Sequence, residues 1–137
     1  MEQIAVDSNV IVASFLDWED FHQRGQSYIN GLESGDYTFH LPMLVVVEVT
    51  SAIGRRARRG RQALLTTWKQ NVADWEKDGK LVLYPLERDR MENAVNIAIR
   101  DRLRGSDAVI AALAEELELP LKTFDNEVLD RFSGASI

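Results

Sequence analysis

Short apolar stretches alternate with longer stretches of helical period, and this alternation most limits what the chain can fold into. Gln3 to Val6 reads as a strand. From Phe15 to Glu33 the pattern turns helical, with Phe21, Gly25, Tyr28, Ile29 and Leu32 on one face, until Ser34-Gly35-Asp36 breaks it. Tyr37 to Leu41 is a second strand stopped by Pro42. Leu44 to Val47 is β-branched enough for a strand, but Pro42 as an opener and the continuation Glu48 to Arg59 favour a helix. After Gly60, the spacing of Leu64, Leu65, Trp68, Val72 and Trp75 predicts another amphipathic helix, one possible interface if not core; Asp78-Gly79 is a turn and Leu81 to Tyr84 a third strand. Met91, Ala94, Val95, Ala98 and Ile99 mark a further helix, ended at Gly105. Ser106 is expected to N-cap a helix over Asp107 to Leu117. Leu119 to Thr123 is a short strand and Asn126 to Phe132 a last short helix, while Ser133 to Ile137 leaves a fifth strand open. Strands alternating with helices imply an α/β fold, a parallel sheet of four to five strands covered by helices on both faces. No repeat or linker divides residues 1–137, so a single domain is expected.

Two apolar strands are followed by aspartates: Asp7 after the first, Asp125 after Leu121 to Thr123. Ligands of open parallel sheets bind at the carboxyl ends of strands, where the strand order reverses. These two acids, remote in sequence, are therefore expected to meet. Glu48 interrupts the apolar run Leu44 to Val49. Asp107 precedes Ile110, Ala111 and Ala114 at i+3, i+4 and i+7, which puts it on the buried side of its helix. Each acid also has a structural use: Asp7 and Asp125 as caps, Asp107 at a helix N-terminus, Glu48 on an exposed face. Charge turned toward a core needs a partner, and no histidine stands near these four in the sequence. A divalent cation would serve. Clustered carboxylates raise one another's pKa until a cation neutralises them, and all-oxygen ligands suit Mg²⁺ or Mn²⁺ over zinc. Such an ion can activate water and orient an in-line attack on a phosphate. The two histidines, His22 in the first helix and His40 in a strand, have no catalytic partner in the sequence.

Composition narrows the setting. There is no cysteine, which excludes disulfides and zinc–thiolate sites and fits a reducing cytoplasm. No apolar run reaches membrane-spanning length, and the first residues lack a secretory pattern. The formal net charge of −6 argues against a protein that simply coats nucleic acid. Yet Arg55, Arg56, Arg58, Arg59 and Arg61 are crowded together, and Arg88, Arg90, Arg100, Arg102 and Arg104 form a looser group. Solvated helix faces account for either group alone. An acidic chain with arginine patches can also combine a cation site with a phosphate-binding rim.

The four acids lie in motifs that resemble those of PIN-domain nucleases. Val6-Asp7-Ser8-Asn9-Val10 resembles the opening motif, Pro42 followed by Glu48-Val49 the second, Gly105 to Ala114 the third, and Thr123-Phe124-Asp125 the fourth. The ordered set spans nearly the whole chain. The small size is similar to the VapC-type toxins of toxin–antitoxin pairs. The resemblance implies a PIN-like fold and a Mg²⁺- or Mn²⁺-dependent endoribonuclease acting on structured RNA such as tRNA or rRNA. It also implies a homodimer and a cognate antitoxin whose tail fills the active-site groove. Asp7, Glu48, Asp107 and Asp125 match the acidic quartet, Asp7 and Asp107 being the best-placed direct metal ligands. Asn9 and Thr123 match supporting polar positions. The stretch Arg55 to Arg61 is no family motif; beside the groove it would meet RNA phosphate or an acidic antitoxin segment.

Two other classes compete. A Mg²⁺-dependent phosphatase of the doubly wound class would want a second aspartate where Asn9 stands, and a receiver domain would want an acceptor aspartate where the third strand ends at Tyr84-Pro85. A PIN-like scaffold that binds RNA or protein without cutting keeps the same fold.

Overall fold

Five parallel strands form one sheet in the order β3-β2-β1-β4-β5. The computed structural model describes residues 1–137. The strands are β1 (Glu2–Val6), β2 (Tyr37–Pro42), β3 (Leu81–Tyr84), β4 (Leu121–Lys122) and β5 (Ala135–Ser136). The helices are α1 (Ser8–Phe15), α2 (His22–Ser34), α3 (Met43–Arg56), α4 (Arg61–Lys77), α5 (Arg88–Asp101), α6 (Gly105–Leu117) and α7 (Asn126–Arg131). The chain runs outward from β1 through β2 to β3, then returns to the other side of β1 to lay down β4 and β5. The strand order therefore reverses between β1 and β4, where a crevice opens at the carboxyl ends of the strands.

The central strands are apolar because both faces are covered. Ile4, Ala5, Val6, Phe39, Leu41 and Leu121 are fully buried. Helix α6 packs on β1 and β2 and is buried from Ala108 to Ala114 except for half-buried Val109; its run of alanines lets the backbone lie close to the sheet. Trp68 and Trp75 of α4 belong to the same core, their rings 6.3 Å apart in an edge-to-face arrangement. Helix α2 crosses α1 at Gly25. A Cβ there would stand 2.7 Å from the Val10 carbonyl oxygen and 2.8 Å from the Ser14 nitrogen, so the crossing requires glycine. No helix is long and apolar enough to cross a membrane.

The α/β fold with a parallel sheet, the fifth strand and the helical reading after Pro42 all agree with expectation. Four expectations need correction. The helix expected over Phe15 to Glu33 starts only at His22, as α2; a turn precedes it, and a separate helix that was not expected, α1, runs from Ser8 to Phe15 because Asp7 caps it immediately after β1. Gly105 does not end a unit: α5 stops at Asp101 with Arg102 in the left-handed region (φ 56°), and Gly105 opens α6. Ser106 consequently lies inside α6, whose N-cap is Arg104. The stripe Met91, Val95 and Ile99 does not face the core. Those residues are exposed, and Ala94 and Ile97 make the buried side of α5.

Candidate active site

The acids gather at the reversal point for local reasons. β1 ends at Val6, and Asp7 turns the chain from strand to helix. Its backbone is extended, and its Oδ1 accepts from the Ser8 N–H at 2.8 Å, capping α1. Asp125 does the same for α7, accepting from the Glu127 N–H at 2.8 Å. The capping and the site readings of these two residues hold together: the cap fixes each carboxylate at the end of its strand. Asp107 lies in the first turn of α6 and is buried; Glu48 is half-buried on α3.

Thr123 and Asn9 tie β1 to β4. The fully buried Thr123 hydroxyl donates to Asp7 Oδ2 at 2.9 Å. The Asn9 amide donates to Asp7 Oδ2 at 3.3 Å and to Thr123 Oγ1 at 3.2 Å. Asn9 Oδ1 accepts the Phe124 N–H at 3.0 Å, and Thr123 Oγ1 accepts the Asp125 N–H at 3.1 Å. One network thus sets Asp7 and the approach to Asp125.

Electrostatics mark the cluster as starved of positive charge. Asp7 is pushed up to about 6 from the usual 3.8, chiefly by burial and also by the Asp107 and Glu48 charges, against the Thr123 and Ser8 hydrogen bonds that pull it down. Burial likewise raises Glu48, with Asp107 adding to the effect and Ser106 opposing it. Asp107 is raised by burial and by Asp125, and lowered by Arg104.

Arg104 was not foreseen as part of the site. Its Nε donates to Asp107 Oδ2 at 3.3 Å and its Nη2 to Asp125 Oδ2 at 2.9 Å, so one guanidinium bridges two of the four acids. The sequence signal was its position three residues before Asp107 on a helix start, a spacing at which ion pairs form. The acids as they stand do not assemble three or more ligands ready to hold a metal ion. The donor set is nevertheless suited to a hard divalent cation: carboxylates alone, three of them (Asp7, Glu48 and Asp107) raised by burial and by neighbouring acids, and partly neutralised by a side chain that is itself exposed. Asp7, Glu48, Asp107 and Asp125 are the residues able to hold it.

The two arginine groups separate. In the first, all five arginines are exposed. Arg56 pairs with Glu19, Arg58 lies over the Trp18 ring at 4.1 Å, and Arg55, Arg59 and Arg61 make no ion pair. Arg56 lines the same open cavity, about 310 Å³, as Asn9 and Asp125. The second group is largely committed to carboxylates: Arg90 to Glu116, Arg100 to Asp101 and Glu115, Arg104 to the site. His22 Nδ1–H donates to the Ala13 carbonyl at 2.7 Å, and His40 bonds Tyr84 and Gln3, so both histidines stand apart from the acids.

The profile of the PIN domain family matches residues 4–135. The chain belongs to the PIN domain family. Solved structures with this fold include FitAcB from Neisseria gonorrhoeae (TM-score 0.72, 18% identity, covering 96% of this chain and 94% of that one). A toxin–antitoxin complex from Klebsiella pneumoniae has a TM-score of 0.71 at 15% identity, covering 98% and 96%. VapC20 from Mycobacterium tuberculosis, described as a sarcin–ricin loop cleaving toxin, has a TM-score of 0.69 at 17% identity, covering 94% and 95%. No curated protein sequence matches the chain. At these identities the PIN-domain likeness is one of fold, shared over nearly the whole of each chain.

Proposed function

We propose that this PIN-domain protein is a VapC-type toxin, a Mg²⁺- or Mn²⁺-dependent endoribonuclease that cleaves structured RNA such as tRNA or rRNA. The observation that carries the reading is the meeting of Asp7, Glu48, Asp107 and Asp125 at the β1/β4 reversal, where burial raises Asp7, Glu48 and Asp107 and the one cation paired with the cluster is Arg104. A bound divalent ion supplies a water able to attack phosphorus and a positive charge for the phosphate oxygens. Asp7 and Asp107, the two buried acids, are the direct ligands; Glu48 and Asp125 complete the set. Ser8, Asn9 and Thr123 keep the Asp7 carboxylate in one orientation. Arg55, Arg59 and Arg61, which make no ion pair, are available to RNA phosphate or to an acidic segment of an antitoxin. A cognate antitoxin is inferred because relatives of the same fold were solved as toxin–antitoxin complexes. An RNA substrate and the lack of cysteine fit the cytoplasm.

A homodimer belongs to the same reading. One expected face was the Leu64 to Trp75 helix, but Trp68 and Trp75 are core. Apolar surface is left open at Met43, Leu44 and Val47 of α3 and on α5 with the segment before it, where Leu86, Val95 and Ile99 are exposed at 53%, 47% and 75%. Ile99→Asp is expected to leave a monomer in sedimentation, against a wild-type dimer.

One observation favours a second reading, a PIN-fold module that binds without cutting: Arg104 already bridges Asp107 and Asp125, the contacts a cation would otherwise take. Purified protein incubated with total tRNA and with rRNA, in Mg²⁺, Mn²⁺ or EDTA, separates the two, with p-nitrophenyl phosphate as the control for a phosphatase. Discrete metal-dependent cuts support the nuclease. Binding without cuts in both metals supports the module.

A further inference from the structure

The cavity beside the acids has an aromatic wall that the metal chemistry does not use. The rings of Phe21 and Phe124 are stacked, with centroids 4.6 Å apart and planes 14° from parallel. Phe124 immediately precedes Asp125, and its N–H is held by Asn9, the residue that also donates to Asp7. The stack is thereby fixed relative to the carboxylates. Phe21, at the turn into α2, is 41% exposed and lines the cavity together with Phe124. Arg56, paired to Glu19, lines the same cavity. Its volume, about 310 Å³, is at the lower end of the roughly 300–1,000 Å³ of small-ligand pockets.

We propose that this cavity is a nucleobase subsite: an unpaired base flanking the scissile phosphate lies against the Phe21–Phe124 wall while Arg56 faces the adjoining sugar-phosphate. The inference rests on the nuclease reading only for the place of the phosphate. An aromatic ring offers a π-face to an unstacked base, and a guanidinium offers charge to the backbone beside it. A base within a continuous helix is already stacked and does not reach the wall, so the subsite favours RNA that is single-stranded at the cut. A protein segment in the same cavity is the alternative occupant. Continuity with Asp125 and Asn9, where a phosphodiester must lie, favours RNA.

The test is binding of a hairpin RNA carrying 2-aminopurine in its loop, and of the same sequence as a duplex, by wild type, Phe21→Leu and Phe21→Trp in EDTA. Leucine keeps apolar bulk without a π-face; tryptophan keeps the face. Thermal melting confirms that each variant is folded. Phe21→Leu is expected to weaken hairpin binding by about 5- to 150-fold and abolish the stacking change in fluorescence, with duplex binding unchanged. Phe21→Trp is expected to bind as wild type or tighter. Equal hairpin affinity in wild type and Phe21→Leu overturns the proposal and assigns the cavity to a protein segment. Equal losses on hairpin and duplex, Phe21→Trp as weak as Phe21→Leu, or no hairpin binding by wild type also overturn it. Metal-dependent cleavage with no Phe21 effect removes only the subsite. A Phe21-dependent stacking signal without cleavage in Mg²⁺ or Mn²⁺ removes only the nuclease.

Discussion

Asp7→Asn should make the metal-free protein more stable, although it removes a residue at the centre of the site. Asp7 is 4% exposed and held at about 6 rather than 3.8, a difference equivalent to about 3 kcal/mol against the ionised form in the fold. Because the folded-state pKa is raised, the favourable contribution is complete below pH 3.8 and is lost as pH rises through about 6. Above that, wild type carries the whole penalty. Asparagine carries none, but its amide nitrogen cannot accept from both Thr123 and Asn9 as Oδ2 does. That mismatch returns about 1 kcal/mol. The net gain for Asp7→Asn is therefore about 2 kcal/mol at pH 8 in EDTA, or roughly 6 °C in Tm for a domain of this size. Urea unfolding of both proteins from pH 4 to pH 8 measures it. The gap should be near zero or reversed at pH 4, open through pH 6, and narrow when Mg²⁺ is added to wild type. An Asp7→Asn protein no more stable than wild type at pH 8 in EDTA refutes the reasoning, because Asp7 would then be neutralised by something other than a cation.

Further outcomes follow from other parts of the molecule. Arg104→Ala removes the guanidinium that bridges Asp107 and Asp125, and should raise Mn²⁺ affinity by roughly fivefold in calorimetry; unchanged or weaker binding would show that Arg104 arranges the ligands instead of competing for them. Gly25→Ala forces a Cβ against the α1 backbone and should lower stability by about 1–3 kcal/mol or more in urea, whereas a neutral result would mean that the α1–α2 crossing yields freely. Replacing Arg55, Arg59 and Arg61 together should weaken RNA binding and flatten its salt dependence, and an unchanged slope would separate that stretch from the RNA.

The sequence made the sheet and its carboxyl edge legible because periodicity and strand-end aspartates are local features. Asp7 after Ala5-Val6 and Asp125 after Thr123 pointed to the crevice without any knowledge of the strand order, which only long-range pairing decides. What escaped depended on neighbours. The period of Met91, Val95 and Ile99 announces an amphipathic helix but not which face another element will cover, and in α5 the alanine–isoleucine side won. Helix α1 is not among the expected elements; its β-branched Val10, Ile11 and Val12 have low helix preference, which the cap at Asp7 and burial against α2 and α3 override. Ser106 was read as a cap from its residue type alone, yet the helix starts two residues earlier, which brings Arg104 onto Asp107 and Asp125. The Phe21–Phe124 wall joins residues from opposite ends of the chain and has no sequence signature.

The central claim is that these carboxylates, loaded with a divalent ion, hydrolyse RNA. Single-turnover cleavage of a responsive tRNA or rRNA, titrated with Mn²⁺, tests it most directly with wild type, Asp7→Asn and Asp107→Asn side by side. The account predicts a wild-type rate that saturates with Mn²⁺ and vanishes in EDTA. Each variant should lose at least about 100-fold, beyond the 10- to 100-fold typical of outer supporting groups, with its fold intact by circular dichroism. Cleavage by Asp7→Asn and Asp107→Asn at the wild-type rate, or by wild type in EDTA, would contradict it.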